Sequence, residues 1–384
     1  MRIRQRSRVD ARRGNPTVRA ACVCNDPGVS VTPRHEARST RRTLMAVTRL
    51  PLQFHPLFRR YRWGGRRLAT VLNKPIGDDT CAESWEVVDH GDDQSVVLDG
   101  PFAGKTLHEL VVADPHGLVG RPARQFPLLV KFLDAADRLS VQVHPDDERA
   151  KQFDPNENGK TEAWLIIDAD PGSCLYVGLR EGVDEATLRR AVAEKRIAEC
   201  LHRVPIRAGD CVLVPAGTVH AIGEGILLAE IQQSSDLTFR LYDWDRLDRD
   251  GRPRPLHIEE SFACIDFARG PVDPVQPVVL LSGDSDGGHT VERLCECPYF
   301  EMRRHTAAVR FTLAPEGVCR IVQVVDGLCS ATVTEATDET ATAPSADWNA
   351  RRLPRGQTFL IPAAGPSVEI EPLSEVVLLE TLVR

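Results

Sequence analysis

The sequence has no run of about 18 apolar residues, so no membrane-spanning helix is expected. The N-terminus has no apolar h-region, and a secretory signal is not expected. The 11 cysteines are odd in number and lack the spacing of a disulfide framework. Cys22/Cys24 and Cys295/Cys297 each enclose one residue, too close for zinc-finger spacing. Reduced thiols in a cytoplasmic protein follow. Residues 1–44 lack lysine and lack apolar periodicity. Their 11 Arg stand against only Asp10, Asp26 and Glu36, a net +8, which leaves −15 for residues 45–384 of a chain at −7. Such a segment reads as a disordered basic extension, with Met45 opening the ordered pattern. The acidic body argues against nucleic acid as the partner.

What is present is a large core. The chain has 384 residues, 42% of them hydrophobic, enough for two domains or one two-lobed body. Short β-rich runs dominate: SWEVVDH, QSVVLDG, PLLVKFLDA, RLSVQVH, AWLIIDA, SCLYVGL, DCVLVPA, GILLAEIQQ and LTFRLYDW. Gly, Pro and Asp turns separate them, which predicts a sandwich or barrel. One stretch differs. Residues 184–203 place Leu188, Val192 and Leu201 roughly on one helical face, with Asp184 as N-cap. A second β-rich unit follows from about 271. It opens on PVDPVQPVV, a linker or edge because proline removes ladder donors, and it contains a polar loop in 331–350. GDCVLVPAGTVH (209–220) and GQTFLIPAAGPS (356–367) share a Gly, five residues and a Pro, a strand between two turns. The first copy ends in His220 and the second in Ser367, so only one of two similar β-units carries a metal-type histidine.

The residues with chemical character cluster in 128–246. In LSVQVHPDD, positions i and i+2 of a strand share a face, so Gln142 and His144 lie side by side. They either pair in the core or hold something between them. GKTEAW adds Lys160 and Glu162, PAGTVHA adds His220, and EIQQSSDLTFRLYDWDR adds Glu230, Asp236 and Arg240. Two imidazoles, one carboxylate and one amide oxygen make a zinc donor set that leaves the ion net positive and useful as a Lewis acid. Strands presenting such ligands on one inner face suit a small barrel. Taken singly, each residue also has an ordinary structural reading, as a core histidine, a surface carboxylate or a solvated cation.

The blocks WGGRRL, ESWEVVDH, FPLLVKFLDAADRLSVQVHPDD, GKTEAW, VPAGTVHAIGEGILLAEIQQSSDLTFRLYDWDR and RPLHIEESFACIDF resemble, in order over roughly 50–268, the type I mannose-6-phosphate isomerases in their short bacterial form. The resemblance implies a mainly β protein of two cupin (jelly-roll) β-barrel domains with a short helical segment. The metal-bearing domain would span 45–270, with the helical insert at about 184–203, and a degenerate cupin would span 271–384. It implies one Zn2+ per chain on Gln142, His144, Glu162 and His220. Lys160, Arg240 and Asp236 would be catalytic, and Glu230, Ser235 and Lys160 would bind a phosphorylated hexose. The implied reaction is aldose–ketose interconversion of mannose 6-phosphate and fructose 6-phosphate through a cis-enediolate, in a cytoplasmic monomer with no nucleic-acid or membrane partner. A non-catalytic sugar-binding or regulatory metal cupin is the alternative. An iron or manganese oxygenase cupin is a third class, which would usually offer more histidines. Around this set, Trp63-Gly64-Gly65 reads as a turn packed by an aromatic, although its five flanking arginines resemble a phosphate patch. Lys131 reads as a snorkelling lysine, and Trp85 and Glu86 as rim or inter-domain residues.

Overall fold

The computed structural model describes residues 49–247, 251–283, 288–334 and 348–384. The basic extension at 1–44 lies outside the described residues, as does most of the expected 331–350 loop. Where the apolar runs alternate with turns, strands form, and they assemble into four antiparallel sheets with two small two-stranded pairs. The first sheet orders Cys211–Val214, Glu162–Ala169, Ile226–Gln233, Leu128–Ala135, Glu83–Val87 and Leu57–Arg59. The second orders Leu201–Pro205, Cys174–Leu179, His220–Ile222, Val141–Val143 and Phe239–Tyr242.

Register decides which side chains meet. Across the first sheet, Trp164, Glu230, Lys131 and Trp85 are partners in one row. Across the second, Val177, His220, Gln142 and Arg240 are partners. Aligned partners share a face, so both rows look into the space between the sheets. Most of that space is apolar: Leu133, Trp164, Ile166 and Leu228 pack against Leu175, Val177 and Ile222. The outer face of the second sheet, with Val141, Val143 and Leu241, is covered by Leu188 and Ala191 of the helix Glu185–Ala193 and by Phe262 and Cys264 of Ile258–Cys264.

The opposite face of the first sheet buries Val130, Phe132, Ala163 and Leu165 against Phe300, Met302, Ile321 and Leu379. These last residues belong to a third sheet, ordered Val278–Leu281, His289–Glu296, Phe300–Ala307, Val376–Val383, Arg320–Asp326 and Thr358–Ile361. A fourth sheet of Phe311–Leu313, Ser367–Pro372, Leu328–Thr334 and Arg351–Pro354 completes a second sandwich around Val322, Phe359 and Ile370. Each fully buried Leu, Ile or Phe in the shared seam contributes about 1.5–3 kcal/mol, which ties the two sandwiches into one compact unit. No helix among the described residues is long and apolar enough to cross a membrane.

The helix expected over 184–203 is shorter. Asp184 caps it through Thr187 N, and it runs Glu185–Ala193. Lys195 then turns to φ 58°, one 3-10 turn follows at Ile197–Cys200, and Leu201 opens a strand paired with Leu179. Leu201 is buried by sheet pairing, and that is why its apolar character extended the helical pattern too far. The repeated Gly-to-Pro pattern gives matching four-residue strands, Cys211–Val214 and Thr358–Ile361, each preceded by a left-handed glycine, Gly209 at φ 91° and Gly356 at φ 87°. At Gly356 a Cβ would lie 1.9 Å from Leu72 O, so close approach as well as φ requires glycine.

Candidate active site

The strand Val141–Val143 and the residue that follows it carry Gln142 and His144 on one face, as the two-residue period requires. His220 opens the neighbouring strand and pairs in register with Gln142. Glu162 opens a long strand of the facing sheet, and Lys160 lies just before it. Three elements distant in the chain therefore deliver His144, Glu162 and His220 to one point, where their ligand atoms all lie within 4.8 Å of one another. Among the described residues they are the only group of three or more His, Cys, Asp or Glu able to hold a metal ion. All three are about 1% exposed.

The hydrogen bonds fix how these rings point. His144 Nδ1 donates to Leu237 O at 2.8 Å, and His220 Nδ1 donates to Thr218 O at 2.9 Å. Each Nε2 is then a lone-pair atom turned inward. His144 Nε2 lies 2.9 Å and His220 Nε2 3.2 Å from the same atom, Glu162 Oε1. That oxygen is buried and accepts no hydrogen bond. Two imidazole nitrogens beside a carboxylate oxygen that no hydrogen bond satisfies form a donor set that fits a divalent ion. Gln142 turns its amide nitrogen to His220 Nε2 at 3.2 Å. To serve as a fourth donor its amide would turn over and present Oε1.

The charges around this point are matched but crowded. Lys160 Nζ donates to His144 Nε2 at 3.0 Å and to Glu162 Oε2 at 3.1 Å, and lies 3.8 Å from Glu230 Oε1. Burial, then the Lys160 charge, pushes the His144 imidazole down to about 3, so it is neutral and ligand-competent near pH 7. Burial opposes ionisation of Glu162, but the Lys160 ammonium together with the His144 and His220 imidazoles outweighs it and holds the carboxyl well below its usual range. Glu230 goes the other way: burial, reinforced by the charge of Glu162, pushes it up to about 8.

Lys131, read from sequence as snorkelling, is instead buried in the middle of Leu128–Ala135. It lies 3.4 Å from Glu230 and 3.5 Å from Glu83. Burial would lower its pKa, but Glu230 and Glu83 together raise it. Lys131 and Glu83 are thus site residues that sequence reasoning missed. The one signal was a lysine inside an otherwise apolar strand. Trp85 shares this face, donating from Nε1 to Glu83 Oε2 at 2.5 Å beneath the Arg59 guanidinium. Glu86 points to the other face, where it pairs with Lys74 at 2.7 Å.

The remaining expected residues lie farther out. Asp236 is exposed, in the loop leaving Ile226–Gln233, where its charge acts on Lys131 and Tyr61. Among the described contacts it makes no ion pair with Arg240. Arg240 stands one strand beyond Gln142 and hydrogen-bonds Pro255 O at 2.9 Å. Ser235 is buried, its hydroxyl donating to Glu157 Oε2 at 3.1 Å and accepting from Leu237 N at 3.3 Å. Contact with a substrate would require the Glu157 bond to break. The arginines beside Trp63-Gly64-Gly65 each have a carboxylate partner: Asp93 for Arg59, Asp79 for Arg60, Asp137 for Arg62, Asp78 for Arg66 and Asp170 for Arg67. They leave no free phosphate patch. A Cβ on Gly64 would meet Ala82 N at 2.4 Å, so the turn needs glycine there.

The second sandwich also buries a charged cluster, whose members pair with one another. His289 Nε2 meets His305 Nδ1 at 3.1 Å, His305 Nε2 meets Glu380 at 3.0 Å, and Arg320 holds the other Glu380 oxygen at 3.2 Å. Here the Arg320 guanidinium and both His305 nitrogens take up the contacts, and no carboxylate oxygen of Glu380 is left without a partner.

Residues 52–174 match the family model described as phosphomannose isomerase type I, catalytic domain. The mannose-6-phosphate isomerase ManA of Bacillus subtilis is 37% identical over 281 residues, covering 73% of this chain and 87% of that protein. A mannose-6-phosphate isomerase of Streptococcus mutans is 42% identical over 207 residues, covering 54% and 65%. The crystal structure of the Bacillus subtilis mannose 6-phosphate isomerase superposes with a TM-score of 0.76 at 29% identity, covering 87% of this chain and 99% of that one. Its cupin-type architecture is that of the four sheets described here. The likeness runs through both sandwiches as well as the donor cluster, and the chain belongs to the type I phosphomannose isomerase family.

Proposed function

We propose that the protein interconverts mannose 6-phosphate and fructose 6-phosphate through a cis-enediolate, with one zinc ion per chain held by Gln142, His144, Glu162 and His220. The observation that carries the reading is the convergence of two inward-facing imidazole lone pairs on a buried Glu162 oxygen that accepts no hydrogen bond. When bound, the ion supplies Lewis-acid stabilisation of charge on the sugar oxygens.

The protein's own groups do the rest. Moving a proton between C1 and C2 develops negative charge on adjacent oxygens, and fixed cations nearby lower that barrier. Lys160 is such a cation, locked against His144 and Glu162. Arg240 is a second, unable to lose its proton and suited to planar anions. Glu230 and Lys160 are the proposed sugar contacts, with Ser235 shaping the loop beside them. Asp236, exposed beside Lys131 and Tyr61, is the proposed proton carrier. The reading also divides the chain into a metal-bearing cupin over 45–270 and a degenerate one over 271–384, in a cytoplasmic monomer.

A coupled assay on mannose 6-phosphate tests it. Turnover that disappears with chelator and returns with Zn2+ is the expected result. Protein that holds the metal and the sugar phosphate without turnover would be a binding cupin, and the isomerase reading would fall.

A further inference from the structure

We propose that Arg254 is a positioning residue for the isomerisation, acting through Asp243 and Pro255 to hold the Arg240 guanidinium in place. The proposal rests on the role given to Arg240 above.

Arg240 lies on Phe239–Tyr242, the edge strand of the second sheet, and the segment 253–257 runs alongside it. His257 N donates to Arg240 O at 2.8 Å, and Arg240 N donates to His257 Nδ1 at 3.2 Å. The side chain has one partner in this segment, Nη1 donating to Pro255 O at 2.9 Å. Its Nε is buried and makes no hydrogen bond. The charges acting on it come from Arg254, Asp243 and Arg246, two of like sign and one opposite. Like-charge repulsion would swing a long, unpaired guanidinium away, so its aim depends on where Pro255 O is fixed.

Arg254 fixes it. Its Nε donates to Asp243 Oδ2 at 2.8 Å and its Nη2 to Asp243 Oδ1 at 2.6 Å, a bidentate grip on a carboxylate that is 6% exposed. Such a fork sets orientation as well as distance, which a lysine cannot do. Arg246 Nη2 reaches the same Oδ1 at 2.6 Å, and its Nη1 ties the assembly to Asp137 at 3.2 Å. Asp243 follows Arg240 by three residues. Directly after it, Trp244 and Asp245 both adopt left-handed backbone, φ 56° and 54°. Side chains rarely sit there without enforcement. Trp244 is pinned by Nε1 donating to Leu139 O at 2.7 Å and by Arg138 over its ring. The strained turn thus closes a ring: Arg240, the Pro255 carbonyl, Arg254, the Asp243 carboxylate, and back along the chain to Arg240. Three guanidiniums share this place with the one carboxylate of Asp243. Arg240, the one without an ion pair among the described residues, keeps its charge for an oxyanion.

The test uses the full-length, zinc-loaded protein and mannose 6-phosphate, with Arg254→Gln and Arg254→Lys made in wild-type and in Arg240→Lys backgrounds. Melting temperature and metal content are recorded alongside kcat and KM. Both Arg254 variants are expected to lose about 100-fold in kcat, the cost of a roughly 1 Å misplacement, while metal content stays at the wild-type level. In the Arg240→Lys background the Arg254 substitution should cost almost nothing further, because the two act as a unit. Wild-type-like kcat in both Arg254 variants overturns the proposal, and so do losses that multiply with Arg240→Lys. If Arg254→Gln does not fold, the Arg254→Lys cycle decides alone. A wild-type enzyme without turnover overturns the functional reading, and this one with it; an active wild type beside active Arg254 variants overturns this one only.

Discussion

Lys74→Met asks whether the strand Glu83–Val87 presents its two faces to two different jobs. Lys74 Nζ lies 2.7 Å from Glu86 Oε2, both residues are buried, and Ser84 Oγ donates to Glu86 Oε1 at 2.5 Å. The ammonium also lies over the Phe132 ring at 5.1 Å. Methionine fills nearly the same volume, so the change removes the charge and leaves little cavity. It strands Glu86 in the apolar seam with one hydroxyl as partner. Breaking a buried pair on one side costs about 3–5 kcal/mol. At about 2 °C per kcal/mol for a chain of this size, the melting temperature should fall by about 6–10 °C. Glu86→Gln added to Lys74→Met should recover most of that, because the stranded charge is what costs. Activity of the single variant, assayed well below its melting temperature, should stay close to wild type, because Ser84 and Glu86 face away from Glu83 and Trp85. Thermal and urea unfolding of the four proteins of the cycle measures the first claim. A loss under about 1 kcal/mol, or a double variant no better than the single one, refutes the energetic reasoning. A large loss of activity at full folding refutes the separation of faces.

Lys160→Ala should lower kcat about 10²–10³-fold while metal analysis finds the ion still bound, since Lys160 is not one of the four donors; loss of the ion would assign Lys160 to its retention instead. Burial alone would raise the Asp243 carboxyl above its usual 3.8, but Arg254 and Arg246 outweigh it and hold it lower. Its contribution to stability is therefore present above about 4 and is lost as pH falls through the depressed value. Asp243→Asn should be less stable than wild type at pH 7, with the gap closing below about pH 4; urea unfolding at several pH values would contradict this if the gap widened in acid.

Much of the fold could be read from the sequence because strand-forming runs and turns alternate so regularly. SWEVVDH, PLLVKFLDA, AWLIIDA and GILLAEIQQ became four adjacent strands of one sheet. The two-residue period put Gln142 and His144 on one face, and the structure sets Gln142 in register with both His220 and Arg240. The pairing that brings Glu162 opposite them depends on sheet packing, which no local pattern encodes. The pairing of Lys131 is not legible locally because its partners Glu83 and Glu230 come from other strands. A lysine in an apolar run looks the same whether it snorkels or pairs. The Asp243–Arg254 grip is not legible for a similar reason: it depends on a left-handed turn at Trp244 and Asp245, and a tryptophan there gives no sign of that backbone. The helix at 184–203 was overextended because Leu201 satisfies a helical period and a strand equally well.

The central claim is that the Nε2 atoms of His144 and His220 and a Glu162 oxygen, with Gln142, surround one divalent ion. Metal analysis combined with zinc-edge X-ray absorption measures it directly, on wild type and on His144→Ala, Glu162→Gln and His220→Ala. The account predicts about one zinc per chain in wild type, with two imidazole nitrogens at about 2.0–2.1 Å, and loss of the ion in each variant. A wild type that takes up no ion after equilibration with Zn2+, or variants that hold it as tightly as wild type does, would contradict it.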